Sequence, residues 1–217
     1  MAYAPVELKV WGDYACFTRP EMKVERVSYE VMTPSAARGV LEAIFWKPEF
    51  SWRIREIRVL RPIRFFSIRR NEVNNRANLA AARRILAGEA HYFADEDRAQ
   101  RHTLGLRDVA YVIVADAIVR PGVQEDAAKY IAQFHRRVER GQCHSMPYLG
   151  CREFTANFEP PDGSERPIER STDLGRMLFD LDYQPDGSGR GTPRFFEARI
   201  ERGVLRVPAR LYESEAS

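Results

Sequence analysis

Two stretches of the sequence carry an apolar stripe at helical spacing behind a clear start signal, and they limit what the chain can fold into. In the first, Thr33 stands at the N-cap position and Pro34 at the first helical position. Ala37, Val40, Leu41 and Ile44 then share one helical face, and Pro48 stops the run. In the second, Asp126 is the cap, Ala127, Ile131, Phe134 and Val138 form the stripe, and Gly141 ends it. Lys129, Gln133 and Arg136 project on the opposite side, and Tyr130 and Arg137 flank the stripe. Each helix lies between β-patterned segments. Residues 6–11 alternate through Val6, Leu8 and Val10, and Trp52, Ile54, Ile57 and Val59 mark a strand over 50–60 with one bulge and arginines on its other face. Residues 108–119 are a run of β-formers, and 152–158 read as a further strand.

The order up to residue 158 is strand, helix, strand, insertion, strand, helix, strand. That is the β-α-β-β-α-β order of a ferredoxin-like fold, shared by RNA-recognition (RRM-like) domains. The class expected is α+β: a ferredoxin-like N-terminal domain over 1–159, and a small C-terminal antiparallel β-sheet over 160–217. Pro160-Pro161-Asp162-Gly163 marks the boundary. A short strand is expected over 27–31. The insertion at about 62–107 reads as irregular, with a strand at 64–68 and an alanine-rich helix over 77–86. Beyond the boundary come strands near 176–183, 195–202 and 204–208, with Arg202-Gly203 as the tight turn of a terminal hairpin. Gly187-Ser188-Gly189-Arg190-Gly191 reads as a flexible turn behind the acidic Asp182 and Asp186.

The composition, 44% hydrophobic and 30% charged over 217 residues, supports a folded core. No apolar run approaches the ~18 residues of a membrane span, and Met1-Ala2-Tyr3-Ala4-Pro5 has no secretory pattern, so a cytoplasmic protein is expected. The three cysteines, Cys16, Cys143 and Cys151, argue against a disulfide scaffold or a structural zinc site. The net charge of +3 conceals an uneven distribution. Of the cations, four are lysine and thirty are arginine, whose planar fork suits phosphate; codon bias alone also yields such a ratio. Residues 52–76 hold eight arginines against Glu56 and Glu72, a net of +6. Residues 153–186 hold nine acids against Arg166, Arg170 and Arg176, a net of −6. A basic face for a polyanion with an acidic part turned away is one reading, and two solvated surfaces are the other.

Six short motifs then occur in order. They are Trp11-Gly12-Asp13-Tyr14-Ala15-Cys16-Phe17-Thr18-Arg19-Pro20, Val27-Ser28-Tyr29, Thr33-Pro34-Ser35-Ala36-Ala37-Arg38-Gly39, Ile44-Phe45-Trp46-Lys47-Pro48, Arg69-Arg70-Asn71-Glu72 and Pro147-Tyr148-Leu149-Gly150-Cys151-Arg152-Glu153-Phe154. In these the chain resembles the d-type (subtype I-C) members of the Cas five family of CRISPR-associated proteins. The resemblance implies a metal-independent endoribonuclease that cuts CRISPR precursor RNA at the base of the repeat hairpin. It implies attack by a ribose 2′-hydroxyl, leaving a 2′,3′-cyclic phosphate and a 5′-hydroxyl. The protein would use no cofactor and no metal, and would stay on the 5′ handle of the mature crRNA within a type I-C interference complex. Its partners would be the repeat stem-loop, that crRNA and the other subunits, with no membrane; weak duplex DNA binding is left open. The alternative is a subunit that caps the handle without cutting.

In such proteins functional residues cluster at the end of the first helix and the start of the second. The first position, often tyrosine, is Phe45 here, which has no hydroxyl and is assigned to base stacking or to core. The second is a lysine followed in some members by histidine, and aligns with Lys129-Tyr130. Lys129 is expected to stabilise the phosphorane. Tyr130 is expected as a hydrogen-bond donor or weak acid, or as the edge of the core. His135 and His144 are the substitutes for the missing histidine, ahead of His91 and His102. RNA-holding candidates are Lys23, Arg26, Phe45, Lys47, Arg69, Arg70, Asn71 and Arg152, since a repeat hairpin needs a phosphate-binding track. The sequence has no His-x-x-His or carboxylate cluster of metal-site spacing.

Overall fold

The computed structural model describes residues 3–22, 24–75, 78–89, 91–184 and 189–215. In chain order the elements are β1 (Val6–Ala15), β2 (Arg26–Val27), α1 (Pro34–Ile44), β3 (Phe50–Val59), β4 (Phe65–Val73), α2 (Leu79–Leu86) and β5 (Arg98–Val119). There follow α3 (Ala127–Glu139), β6 (Asn157–Glu159), β7 (Thr172–Tyr183), β8 (Gly191–Glu201), β9 (Val204–Arg206) and a 3₁₀ helix (Ala209–Glu215). The fold is α+β. Its strands form one sheet in the order β6-β1-β5-β3-β9-β8-β7, with β2 and β4 attached to the N-terminal half of β5. Every pair is antiparallel except β2 with β5.

The helix start signals act as their chemistry requires. The Thr33 hydroxyl accepts from Ala36 N at 3.3 Å, and the Asp126 carboxylate accepts from Ala128 N at 3.1 Å. α1 buries Ala37, Val40, Leu41 and Ile44. It stops at Ile44, before the expected Pro48, because Phe45 turns to an extended conformation. The stripe of α3 differs from expectation at its N-terminal end. Tyr130, Phe134 and Val138 are buried, and Ile131 is only half-buried. Tyr130, Phe134 and Val138 recur every four residues and share one face, where the Tyr130 ring stacks on Phe50 at 4.8 Å; Ile131, turned about 100° from Tyr130, is left at the edge of that face. Trp52 meets Phe134 at 4.9 Å, so the start of β3 and α3 share one aromatic core.

β3 carries its bulge between Ile54 and Glu56, as the phase slip requires. The insertion is more regular than expected. β4 pairs with β5 from Phe65–Leu106 to Val73–Arg98, and α2 lies beyond this two-stranded arm. The arm has no core beneath it, so no apolar alternation marked it in the sequence. Asp108, at φ 55°, interrupts β5 between its core half and its arm half, and both Arg61 and Arg64 pair with it.

The strand expected over 27–31 shrinks to Arg26–Val27, because Tyr29 N turns away to donate to Phe17 O at 2.8 Å. The strand expected over 152–158 shrinks to Asn157–Glu159, because residues 149–154 close into a turn held by Leu149 N donating to Phe154 O at 2.7 Å. At the C-terminus, Arg202 (φ 46°) and Gly203 (φ 75°) make the tight turn between β8 and β9. β9 then pairs with β3 through Leu205 and Ile57, so the C-terminal strands continue the first sheet and do not form a separate one. Of the loop 187–191, Gly187 and Ser188 lie outside the described residues, as does Lys23. Among the described residues no helix is long and apolar enough to cross a membrane.

Candidate nucleic-acid site

The end of α1 and the start of α3 meet over an aromatic cluster. Phe45 stacks on Phe50 at 5.6 Å, Phe50 stacks on Tyr130, and Trp52 Nε1 donates to Phe45 O at 2.9 Å. Arg137 closes the cluster by donating to Ile44 O at 2.7 Å, with its guanidinium 5.2 Å from the Phe45 ring. Phe45 is therefore only 1% exposed and has no face for a base. Its neighbour Trp46, on the extended segment that follows α1, is 52% exposed and is the aromatic that this end of α1 offers to a ligand. Sequence reasoning missed it because the helix was expected to run on to Pro48; in the extended backbone that begins at Phe45, successive side chains point to opposite sides.

Lys129 occupies the first turn of α3 with its side chain 56% exposed and its ammonium 2.7 Å from the Glu125 carboxylate. That hydrogen bond raises the lysine further above its ordinary range, so it is a cation and not a base. Tyr130 is 2% exposed, and burial lifts its phenol above the usual value, with Glu49 and Glu125 acting the same way. Of the two readings of Tyr130, donor or weak acid and edge of the core, the enclosed ring fits the core. One oxygen of Glu49 is buried without a hydrogen-bond partner. His135 and His144 are exposed, and the backbone of His144 is tied to α1 by donation to Ala43 O at 2.8 Å. Lys47 is half-buried.

The remaining candidates lie elsewhere. On β5 the aromatic cluster adjoins Val119, paired with Phe50, whereas Arg70 pairs with Arg101. Eighteen residues of strand separate the two, about 60 Å of contour at roughly 3.3 Å per residue. The structure thus divides the predicted site into two groups.

In the arm group, strand alternation separates residues that are adjacent in sequence. Arg69 and Asn71 are exposed on one face beside Phe65, opposite His102 and Gln100 on β5. Arg70 turns to the other face and donates to Glu153 at 2.7 Å and to Thr103 at 3.3 Å. Arg26 reaches the same Glu153 at 3.2 Å and Glu72 at 3.8 Å. Arg70 and Arg26 are thus engaged in ion pairs, and Arg70 lies on the opposite face of β4 from Arg69 and Asn71. Burial pushes the Glu153 carboxyl up, but the hydrogen bond from Arg70 and the charges of Arg70 and Arg26 outweigh it and leave a depressed value. Arg152 is exposed in the adjoining turn. That turn lies on Cys16: a side chain at Gly150 (φ 84°) would meet Cys16 O at 2.1 Å. Arg26 Nη1 also lies 3.8 Å from Cys151 Sγ. Cys151 is lowered to about 7, first by the Cys16 thiol, against burial and Glu153 and with help from Arg26. Among the described residues no three His, Cys, Asp or Glu side chains converge as a metal site would require.

Comparison with known proteins gives the chain its relatives. A protein of Thermus thermophilus named CRISPR pre-crRNA endoribonuclease Cas5d is 49% identical over 97% of this chain and 94% of its own length. One of the same name from Mannheimia succiniciproducens is 46% identical over 94% of each. Among solved structures, a CRISPR-associated protein superposes with a TM-score of 0.68 at 21% identity, covering 96% of this chain and 95% of its own. A functionally uncharacterised protein from Streptococcus mutans gives 0.68 at 19% identity, covering 97% and 95%. A chain of a CRISPR RNA-guided surveillance complex gives 0.51 at 13% identity, covering 98% of each. With the Cas_Cas5d model of CRISPR-associated proteins matching residues 6–208, the chain belongs to the Cas5d family.

Proposed function

We propose that this chain is a metal-independent endoribonuclease that cuts CRISPR precursor RNA within the repeat and then holds the 5′ handle of the product in a type I-C interference complex. The naming of both relatives, at 49% and 46% identity along almost the whole chain, supports the reaction class. The observation that carries the reading within this molecule is Lys129, a solvent-facing cation on a helix locked to the end of α1 by a buried aromatic cluster.

In the reaction, a ribose 2′-oxygen loses its proton and attacks the adjacent phosphorus, and the 5′-oxygen leaves with a proton. The products are a 2′,3′-cyclic phosphate and a 5′-hydroxyl. Lys129 offsets the charge that grows on the phosphorane. His135 and His144 are the proton-transfer candidates, since Phe45 has no hydroxyl and the Tyr130 ring is enclosed. Trp46 and Lys47, on the segment that follows α1, and Arg69, Asn71 and Arg152, along the arm, supply RNA contacts. The strand order β6-β1-β5-β3, with α1 and α3 packed on one face, supports a ferredoxin-like core of RNA-recognition type. The other subunits of the complex, and weak binding of duplex DNA, are proposed as further partners.

A handle-holding subunit that does not cut is the second reading. Phe45 without a hydroxyl and the enclosed Tyr130 favour it. One experiment separates the two: single-turnover incubation of a labelled cognate repeat with excess protein in EDTA. Cleavage is expected, with Lys129→Ala slower by roughly 10²–10³ and hairpin binding within about threefold of wild type. Equal rates for the two proteins remove Lys129 from the chemistry, and no cleavage by wild type favours the handle-holding reading.

A further inference from the structure

A cleft of about 300 Å³ opens between the N-terminal end of α1 and β7. Its polar and aromatic lining side chains include Thr33, Ser35, Arg38, Tyr148, Asp180 and Tyr183. The Thr33 and Ser35 hydroxyls lie 3.1 Å apart at the helix start. Deeper in, Arg38 Nη2 donates to Asp180 Oδ1 at 2.7 Å, while Arg38 Nε is buried with no hydrogen-bond partner. Asp180 is almost fully buried, and Glu42 stands 3.9 Å from the same guanidinium. One cation against two carboxyls makes this floor unsuitable for a phosphate. It suits a neutral group that offers both a donor, for Asp180, and an acceptor, for the Thr33 and Ser35 hydroxyls.

The rim supplies the apolar part. Tyr148 and Tyr183 are both exposed, Tyr183 to 62%. A second cavity of about 660 Å³ adjoins the first and shares Thr18, Leu178, Leu181 and Tyr183 with it. Arg19 and Arg190 line this second cavity. Tyr183 therefore stands between a hydrogen-bonding cleft and an arginine-bearing one. An unpaired nucleotide has the matching parts: a ring face to stack, an edge with adjacent donors and acceptors, and a phosphate at one end.

We propose that this pair of cavities holds one unpaired nucleotide of the bound RNA, its base stacked on Tyr183 with its edge toward Asp180 and Arg38, and its phosphate on the Arg19–Arg190 side. The site rests on the RNA-binding reading above and adds a single-stranded subsite to it, away from Lys129.

The test is a binding titration of the full chain with two probes. One is the cognate repeat hairpin; the other is the unpaired handle segment of the same repeat, intact or with one base removed at each position in turn. Tyr183→Ala is expected to weaken handle binding about five- to 150-fold, the range of one lost base–aromatic stack, and Tyr183→Phe to stay within about twofold of wild type. Removing one particular base should cost wild type the same factor and cost Tyr183→Ala nothing more. The exposed position of the ring lets both variants fold, which circular dichroism checks. If wild type binds the handle and Tyr183→Ala binds it equally well, or if every base removal adds to the Tyr183→Ala loss, the subsite is overturned alone. If wild type binds neither probe, the RNA reading falls and the subsite with it.

Discussion

Tyr130 and Lys129 are neighbours in sequence with opposite tasks. The helix turns by about 100° between them, which sends the ring into the Phe50–Phe134 cluster and the ammonium to water. On the proposed function the hydroxyl of Tyr130 is expected to be dispensable for chemistry, and the ring to be needed for the fold. Tyr130→Phe is expected to retain cleavage within about twofold and to unfold at the wild-type denaturant midpoint. Tyr130→Ala removes a stacked aromatic from the core and should destabilise the chain by about 3–5 kcal/mol, read by equilibrium denaturation. A large loss of cleavage in a stable Tyr130→Phe protein would return the phenol to the catalytic set.

The arm shows how one element sorts residues by parity. β4 places Arg69 and Asn71 on an open face and Arg70 on the face closed by Glu153. An arginine already paired with carboxylates has less to offer a phosphate, and its removal leaves a partly buried acid with one fewer partner. Arg69→Ala is expected to weaken hairpin binding and to flatten the slope of log affinity against log salt by about 0.7–0.9, one phosphate contact. Arg70→Ala should leave that slope nearly unchanged. Titrations at four or five salt concentrations decide this, and a flattened slope in Arg70→Ala with none in Arg69→Ala would reverse the assignment.

Across the whole molecule, β9 is the link. It pairs with β3 on one side and β8 on the other, and Leu205 is fully buried between them. A division at about residue 160 into two domains predicts two unfolding events. A continuous hydrogen-bonded sheet with a shared core predicts one, and one is expected here. Leu205→Ala should lower stability by about 2–5 kcal/mol without splitting the transition, followed by fluorescence and far-ultraviolet circular dichroism together. Two separate transitions in wild type would favour the division.

Local rules were enough to read α1, α3 with its Asp126 cap, the bulge in β3 and the Arg202-Gly203 turn, because each depends on neighbours within a few residues. The motifs that mark the family were equally legible, being contiguous. Three features depended on residues far apart in the chain, and only the tertiary structure decided them. Phe45 and Tyr130 are enclosed because Phe50 lies between them, and Arg70 is engaged because Glu153, 83 residues away, folds back against it. The C-terminal strands join the first sheet because β9 finds the free edge of β3. Sequence periodicity records which face of an element is apolar. It does not record which other element covers that face, and burial, ion pairing and sheet order all follow from that pairing.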